Sequence, residues 1–243
     1  MKIIPVIDIL NGIVVHAVRG KRKEYQPLQS TLCNSAAPSE VAKAFSKLGF
    51  SELYVADLDA IMGCNTNLET LQCMAQETGL KLMVDAGVTT LEQAQKLLGK
   101  GASKIIIGTE TLRNKNFVGE AVKHFGCDRV IVSLDMKSDK VLVQAGFDGP
   151  QNALALLHEF AKMGVCQVIV LDLARVGSAE GVNVDFLKKV MGELQLDLYV
   201  GGGVRSITDL MELKQLGILG ALLATALHTG KISVADLKQA RLL

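Results

Sequence analysis

Eight short apolar runs alternate with amphipathic segments along the chain, and this alternation constrains the fold more than any other feature. The runs are rich in Val, Ile and Leu and lack regular polar alternation, as is typical of strands buried on both faces. They cover residues 3–7, 53–56, 80–84, 104–107, 130–134, 167–171, 196–200 and 221–223. Stretches with helical periodicity lie between them, at residues 39–48, 68–77, 91–98, 116–124, 152–163, 184–194 and 208–216. This order predicts an α/β protein whose parallel sheet closes into a (β/α)8 TIM barrel.

The two halves of the sequence also repeat each other. The segment VDAGVTT at 84–90 matches VGGGVRS at 200–206, which places Gly87 and Gly203 at an offset of 116 positions. Thr109 and Thr225 lie at the same offset of 116, at the end of the next apolar run in each half. The repeat predicts two homologous half-barrels, about 1–125 and 126–243. Since no Pro/Gly-rich linker divides the chain, we expect residues 1–243 to form a single barrel domain.

Charge and cysteine content narrow the classes of function. A net charge of +1 indicates neither a nucleic-acid partner nor an anionic membrane surface. No apolar run approaches the roughly 20 residues that span a bilayer, and the N-terminus reaches Asp8 too soon for a signal peptide. The five cysteines are odd in number and form no C-x-x-C pair, so we expect reduced thiols of a cytoplasmic protein and no metal site.

Aspartates follow several of the apolar runs, where a barrel of this kind carries its active site. Asp8 and Asp135 come after the first and fifth runs, and these two strands face each other across an eight-stranded barrel. Two carboxyl groups facing across a pocket can act as an acid and a base. Any single aspartate at such a position could instead cap a helix or anchor a loop.

Small residues in the loops after four of the runs indicate phosphate binding. Backbone N–H groups can approach an anion closely where side chains are small, and a helix N-terminus adds a favourable dipole. The predicted substrate- and phosphate-binding residues are Gly202, Gly203, Arg205, Ala224 and Thr225 in the second half, Gly87, Gly108 and Thr109 in the first half, and Asp172 after the sixth run. Because both halves carry such loops, the pattern favours a substrate with a phosphate at each end. The alternative is that the glycines only permit tight turns.

A basic segment, RGKRKEYQ at 19–26, follows the first run. Such a segment is usually a solvated loop. It could also be a mobile lid over an anionic substrate, with Arg19, Lys21 and Arg22 as the contacting residues.

Four longer segments resemble the histidine-biosynthesis (β/α)8-barrel family, and the resemblance covers essentially the whole chain. These segments are IIPVIDILNGIVV, LYVADLDAIMGCNTNLETL, VSLDMKSDKVLVQAGF and VGGGVRSITDLMEL. The isomerase branch of this family is the most similar. The resemblance implies an Amadori rearrangement of a phosphorylated aminosugar without metal or organic cofactor, in a monomer or small homo-oligomer. It also implies that Asp8 is the general base and Asp135 the general acid.

The chain departs from the isomerase pattern at several positions, as a diverged member would. Leu171 replaces a threonine, Val176 an aspartate and Thr89 an arginine, and Asp85 takes the place of a glycine near the first predicted phosphate. A carboxylate there is unfavourable for an anion unless a cation screens it. Three alternatives therefore stay open. The chain could be a paralogue that acts on another phosphorylated metabolite, such as one with a single phosphate. It could also be a cyclase-like enzyme or a non-catalytic phosphate-binding barrel.

Overall fold

The computed structural model of the protein describes residues 1–18, 20–137, 140–176 and 181–243. The strands of these segments are β1 Lys2–Leu10, β2 Ile13–His16, β3 Gln26–Pro27, β4 Glu52–Asp57, β5 Lys81–Asp85, β6 Ala102–Gly108, β7 Val130–Lys137, β8 Lys140–Val141, β9 Gln167–Asp172, β10 Asp197–Gly201 and β11 Gly220–Leu223. The helices are α1 Pro38–Leu48, α2 Leu58–Ile61, α3 Leu68–Thr78, α4 Leu91–Gly99, α5 Asn116–Phe125, α6 Ala153–Lys162, α7 Val184–Glu193, α8 Ile207–Gln215, α9 Thr225–His228 and α10 Val234–Gln239.

Eight of the strands form the closed parallel barrel that the alternation predicts. Their order is β1, β4, β5, β6, β7, β9, β10 and β11, and β11 pairs with β1 in parallel to close the ring. Strands β2, β3 and β8 add antiparallel pairings outside this ring, which the apolar pattern did not predict because they are short and partly polar. The prediction of a (β/α)8 barrel is confirmed. The origin from two half-barrels stays a prediction.

The core has two layers, which explains why the strands are apolar on both faces. Inside the barrel, side chains from alternating positions pack together, among them Ile4, Tyr54, Met83, Ile106, Ile131, Ile169, Tyr199 and Leu222. A larger layer, with Val55, Phe45 and Phe160, lies between the strands and the surrounding helices. This arrangement leaves the carboxyl ends of the strands as the face on which polar side chains can gather.

Equivalent helices in the two halves begin in the same way. The Thr90 side chain accepts a hydrogen bond from the Gln93 N–H at the start of α4, and Ser206 accepts one from Asp209 at the start of α8. Such caps satisfy backbone donors that have no partner within the helix. They also set where the loops after β5 and β10 end, and hence the shape of the site at those strand ends.

The expectation that all five cysteines are reduced thiols is wrong for two of them. Cys127 and Cys166 form a disulfide, with their Cα atoms 5.8 Å apart, while Cys33, Cys64 and Cys73 are free. The two cysteines precede the neighbouring strands β7 and β9, at the end of the barrel opposite the carboxyl ends of the strands. Their sequence spacing of 39 residues hides this proximity, because the pairing of the strands creates it.

No helix in the described segments is both long enough and apolar enough to traverse a bilayer.

Candidate active site

A cavity of about 360 Å³ opens at the carboxyl ends of the barrel strands. This volume is within the range of small-molecule sites. The predicted residues that line it are Asp8, Arg22, Gly108, Asp135, Gly202, Gly203, Arg205, Ala224 and Thr225. The structure therefore brings both predicted catalytic carboxyl groups and all the second-half loop residues to one space.

Four other predicted residues lie outside the cavity wall. Gly87 and Lys21 do not line it, and Thr109 is fully buried behind it. Asp172 forms an ion pair of 2.9 Å with Arg175 and lines a much smaller neighbouring cavity. Arg19 of the predicted lid lies outside the described residues.

The carboxyl groups of Asp8 and Asp135 lie on opposite strands of the ring, β1 and β7. The Asp135 carboxylate accepts hydrogen bonds from Ser133 Oγ at 2.7 Å and from the Glu110 N–H at 3.1 Å. The Asp8 carboxylate accepts none from the described part of the chain and is partly exposed to the cavity. Asp135 is thus held in place by the protein, whereas no donor among the described residues holds the Asp8 carboxylate.

Burial raises the pKa of both groups. Desolvation raises the pKa of Asp8 from 3.8 to about 7; attraction to Arg22 opposes the rise and repulsion from Asp85 adds to it. Desolvation also raises the pKa of Asp135 to about 7, with repulsion from Asp85 as the next cause and the Ser133 hydrogen bond opposing it. Carboxyl groups with a pKa near neutrality can both donate and accept protons at physiological pH.

Asp85 places a third carboxyl group in the cavity wall. Its Oδ1 accepts from the Gly87 N–H at 3.1 Å, and its Oδ2 accepts from the Tyr54 hydroxyl at 3.4 Å. A Cβ atom added at Gly108 would lie 3.0 Å from Asp135 Oδ2 and 3.4 Å from Asp85 Oδ2, so a larger residue there would press on both carboxyl groups. Burial raises the pKa of Asp85 to about 6, and the hydrogen bond from the Gly87 N–H opposes this rise.

We expect Asp85→Asn to stabilise the protein at alkaline pH. The folded state raises the Asp85 pKa above its unfolded value, so its contribution to stability is full at low pH and is lost as the pH rises through about 6. A rise from 3.8 to about 6 corresponds to roughly 3 kcal/mol. Urea unfolding should therefore show a variant more stable than the parent by roughly 2–3 kcal/mol at about pH 8, with the gap closing towards about pH 4.

The control for this measurement is Asp197→Asn, which changes an exposed aspartate at the start of β10. Its effect on the unfolding free energy should be small at every pH. A gap between parent and Asp85→Asn that stays constant with pH would show that the Asp85 carboxyl group does not titrate as proposed.

The loops after β10 and β11 form an open cradle of backbone donors. Gly202 and Gly203 have φ of 85° and 90°, and added Cβ atoms would collide with the carbonyl oxygens of Asp172 and Gly181 respectively. No acceptor within the described segments takes the N–H groups of Gly203, Ala224 or Thr225. Unpaired N–H groups lining a cavity are the feature that binds phosphate in such barrels.

The equivalent loop after β6 uses its donors within the protein. The Thr109 N–H donates to the Ser133 carbonyl at 2.9 Å, the Glu110 N–H to Asp135, and the Thr111 N–H to the Gly108 carbonyl at 3.3 Å. The Thr109 hydroxyl accepts from the Asp135 N–H at 3.0 Å. This loop therefore holds the Asp135 carboxylate in position and presents no comparable cradle.

The basic segment after β2 crosses the mouth of the cavity. Arg22 forms an ion pair of 2.9 Å with Glu110, beyond the end of β6, and a Cβ atom at Gly20 would lie 3.9 Å from Leu173, beyond the end of β9. Lys21 pairs with Glu24 on the exposed side of the segment. Arg22 thus belongs to the site, and the action of this segment as a lid stays a prediction.

Several lining residues were missed by the sequence analysis. They are Tyr25, Tyr54, Glu110, Lys137, Arg175, Lys231, Leu142 and Leu173. Leu171 and Val176, which the sequence analysis had singled out, also line the cavity and complete an apolar side. Glu110 directly follows the predicted loop residues Gly108 and Thr109, so its position could have identified it. Tyr54 lies within a fully buried strand, where nothing in the sequence distinguishes it from a core residue.

Comparison with known proteins identifies the family of this chain. The family described as histidine biosynthesis protein matches residues 2–233. An uncharacterized protein of Methanocaldococcus jannaschii is 34% identical over 240 residues, which cover 98% of this chain and 97% of the relative. Two further relatives are named as imidazole-4-carboxamide isomerases, with two phosphoribosyl groups in the full chemical name.

These two relatives match the chain from end to end. The enzyme of Streptococcus sanguinis is 31% identical over 243 residues, covering 99% of this chain and 98% of the relative. The enzyme of Streptococcus thermophilus is 32% identical over 241 residues, covering 98% of each. Taken with the closed barrel and the paired strand-end carboxyl groups, these matches show that the chain belongs to the histidine biosynthesis protein family.

Proposed function

We propose that this protein catalyses an Amadori-type aldose–ketose isomerisation of a phosphorylated aminosugar. The observation that carries the proposal is the pair of carboxyl groups on opposite strands of one cavity, each with a pKa raised to about 7. Relatives named as isomerases of a phosphoribosylamino compound give independent support. Asp8 and Asp135 take the catalytic roles.

The chemistry needs one acid and one base. Asp135, in its protonated form, donates to the ring oxygen of the aminoaldose, so that the ring opens and the C1–nitrogen bond becomes an iminium. Asp8, in its ionised form, removes the proton from C2, and the resulting enaminol tautomerises to the aminoketose by protonation at C1. The protons balance: the one that leaves C2 is matched by the one that arrives at C1, and the C2 hydroxyl proton returns to Asp135 in place of the one given to the ring oxygen. The hydrogen bonds that position Asp135 fit the role of the acid, and the partial exposure of Asp8 to the cavity fits the role of the base.

The substrate phosphate is assigned to the cradle after β10 and β11. The N–H groups of Gly203, Ala224 and Thr225 supply the donors, and Arg205 and Lys231 line the same cavity. Anchoring the phosphate there holds the sugar ring across the barrel axis, between Asp8 and Asp135. Because the bound substrate is already oriented, less translational and rotational entropy is lost in the chemical step.

We expect the pH dependence of kcat/KM to be bell-shaped, with a maximum near about pH 7. Below the maximum Asp8 is protonated and cannot act as the base; above it Asp135 is ionised and cannot act as the acid. The measurement is steady-state turnover of a phosphorylated aminoaldose, offered with one phosphate and with two, with product detected by proton NMR in heavy water. A folded protein that turns over neither compound at any pH between about 5 and 9 would contradict the proposal.

A further inference from the structure

The two ends of the cavity differ in what their backbones offer a ligand. At the end formed by β10 and β11, the N–H groups of Gly203, Ala224 and Thr225 find no acceptor in the described part of the chain. At the end formed by β5 and β6, the N–H groups of Gly87, Thr109 and Glu110 are bound to Asp85, Ser133 and Asp135 respectively. A phosphate at this second end would have to break these bonds, two of which fix catalytic-site carboxyl groups.

The charged side chains that line the two ends of the cavity also differ. Asp85 and Glu110 line the cavity beside β5 and β6, close to Asp135. Arg22, a cation that also reaches this end, already pairs with Glu110 at 2.9 Å. On the β10–β11 side, Arg205 pairs with Asp209 at 2.9 Å, and Lys231 lines the cavity with no ion-pair partner among the described residues. Among the described residues, the β10–β11 end thus carries the unpaired cation Lys231, and the β5–β6 end carries the unpaired carboxyl group of Asp85.

An acidic end favours a positively charged group, and the Asp85 carboxyl group there has no ion-pair partner among the described residues. Two carboxylates beside a phosphate repel it strongly in a desolvated site. An ammonium reverses the sign of that interaction, and it can donate hydrogen bonds to carboxylate oxygens. Asp85 therefore favours an ammonium over a phosphate at this end of the cavity.

We propose that the substrate of this protein carries one phosphate, bound by the loops after β10 and β11, and a basic amine at its remote end, bound by Asp85 and Glu110. This inference rests on the proposed function for the site it uses, and it narrows the substrate class. It separates this chain from relatives whose names contain two phosphoribosyl groups.

The inference is tested by calorimetric binding to the whole protein. Three probes share a pentyl chain with a phosphate at one end and differ only at the other: aminopentyl phosphate, hydroxypentyl phosphate and pentanediol bisphosphate. We expect the amine to bind about tenfold or more tightly than the alcohol, as for a gained charged hydrogen bond, and the bisphosphate to bind most weakly. Inorganic phosphate should bind at one site per chain.

Two matched variants locate the phosphate. Thr225→Asp places a carboxylate in the proposed cradle and should abolish phosphate binding. Thr111→Asp places one in the cavity wall after β6 and should leave phosphate binding within about twofold of the parent. Two phosphates per chain, or loss of phosphate binding in Thr111→Asp, would overturn the inference.

A double variant locates the amine. Asp85→Asn with Glu110→Gln should remove the preference for aminopentyl phosphate over hydroxypentyl phosphate, while binding of inorganic phosphate persists. Persistence of phosphate binding also shows that the variant is folded. An unchanged preference for the amine would overturn the assignment to Asp85 and Glu110.

Binding and turnover separate the two proposals. Turnover of a bisphosphorylated aminoaldose with a tighter Kd for the bisphosphate probe would overturn the single-phosphate inference while the isomerase proposal stands. One phosphate per chain and a preference for the amine, without turnover of any aminoaldose, would overturn the isomerase proposal while the inference stands.

Discussion

Asp8→Asn and Asp135→Asn should each lower kcat for aminosugar isomerisation by about 100-fold to 10,000-fold, the usual contribution of general acid–base catalysis. Asparagine keeps the shape of aspartate but neither accepts a proton from carbon nor donates one as a carboxylic acid. The amide at position 135 can keep both contacts of the carboxylate, because the Ser133 hydroxyl can accept as well as donate and the Glu110 N–H can still reach the amide oxygen. We therefore expect folding and phosphate binding to persist in both variants.

The measurements for these variants are steady-state kinetics together with calorimetric phosphate binding. Glu69→Gln changes an exposed carboxylate on α3 that lies outside the cavity lining; it is the control and should match the parent. The pH profile adds a sharper check, since Asp8→Asn should remove the acidic limb of any residual activity and Asp135→Asn the alkaline limb. Turnover that survives either change at the parental rate would exclude that residue as the acid or the base.

Phe45→Ala should lower the free energy of unfolding by about 3–5 kcal/mol, as expected for truncation of a buried phenylalanine. Phe45 of α1 is 1% exposed, and its ring packs edge-on against Phe50 at a centroid distance of 5.6 Å. It also contacts the His228 ring at 5.5 Å, at the end of α9. His228 is buried and bonds Ser30 through Nδ1, so the cavity left by the ring would loosen the helix that follows the phosphate cradle.

Urea denaturation at neutral pH measures this effect, with the m-value as a check that the transition stays cooperative. Phe125→Ala is the control: it removes the same ring from the end of α5, where Phe125 is partly exposed, and should cost clearly less. Phosphate binding to folded Phe45→Ala should also weaken, because α9 loses its support. Equal losses of stability in the two variants would show that Phe45 contributes no more than a surface ring.

The barrel could be predicted from the sequence because the pattern that indicates it is local and repeated. Strands buried on both faces must be apolar along their length, and the helices that cover them must be amphipathic, so the alternation is visible without tertiary information. The positions of Asp8 and Asp135 at strand ends followed from the same pattern. Their pairing across the barrel needed only the strand count, because the first and fifth strands of eight lie opposite each other.

The symmetry of the repeat was a poor guide to the hydrogen bonding of the loops at the two ends of the cavity. Gly87 and Gly203 match in sequence, and both have positive φ, at 61° and 90°. Yet the Gly87 N–H is bound to Asp85, whereas no acceptor among the described residues takes the Gly203 N–H. Thr109 and Thr225 match as well, but Thr109 is fully buried and supports Asp135.

By itself, then, the sequence determined the fold class, the strand ends at which chemistry can occur and the glycines that the turns require. These features depend on the periodicity of neighbouring residues and on backbone dihedral preferences, which are local. Only the tertiary structure decided that Arg22 pairs with Glu110 across 88 positions, that Cys127 meets Cys166, and that the Glu110 N–H donates to Asp135. Hydrogen bonds, ion pairs and burial join residues far apart in the chain, so their partners depend on strand register and loop path, which no local pattern encodes.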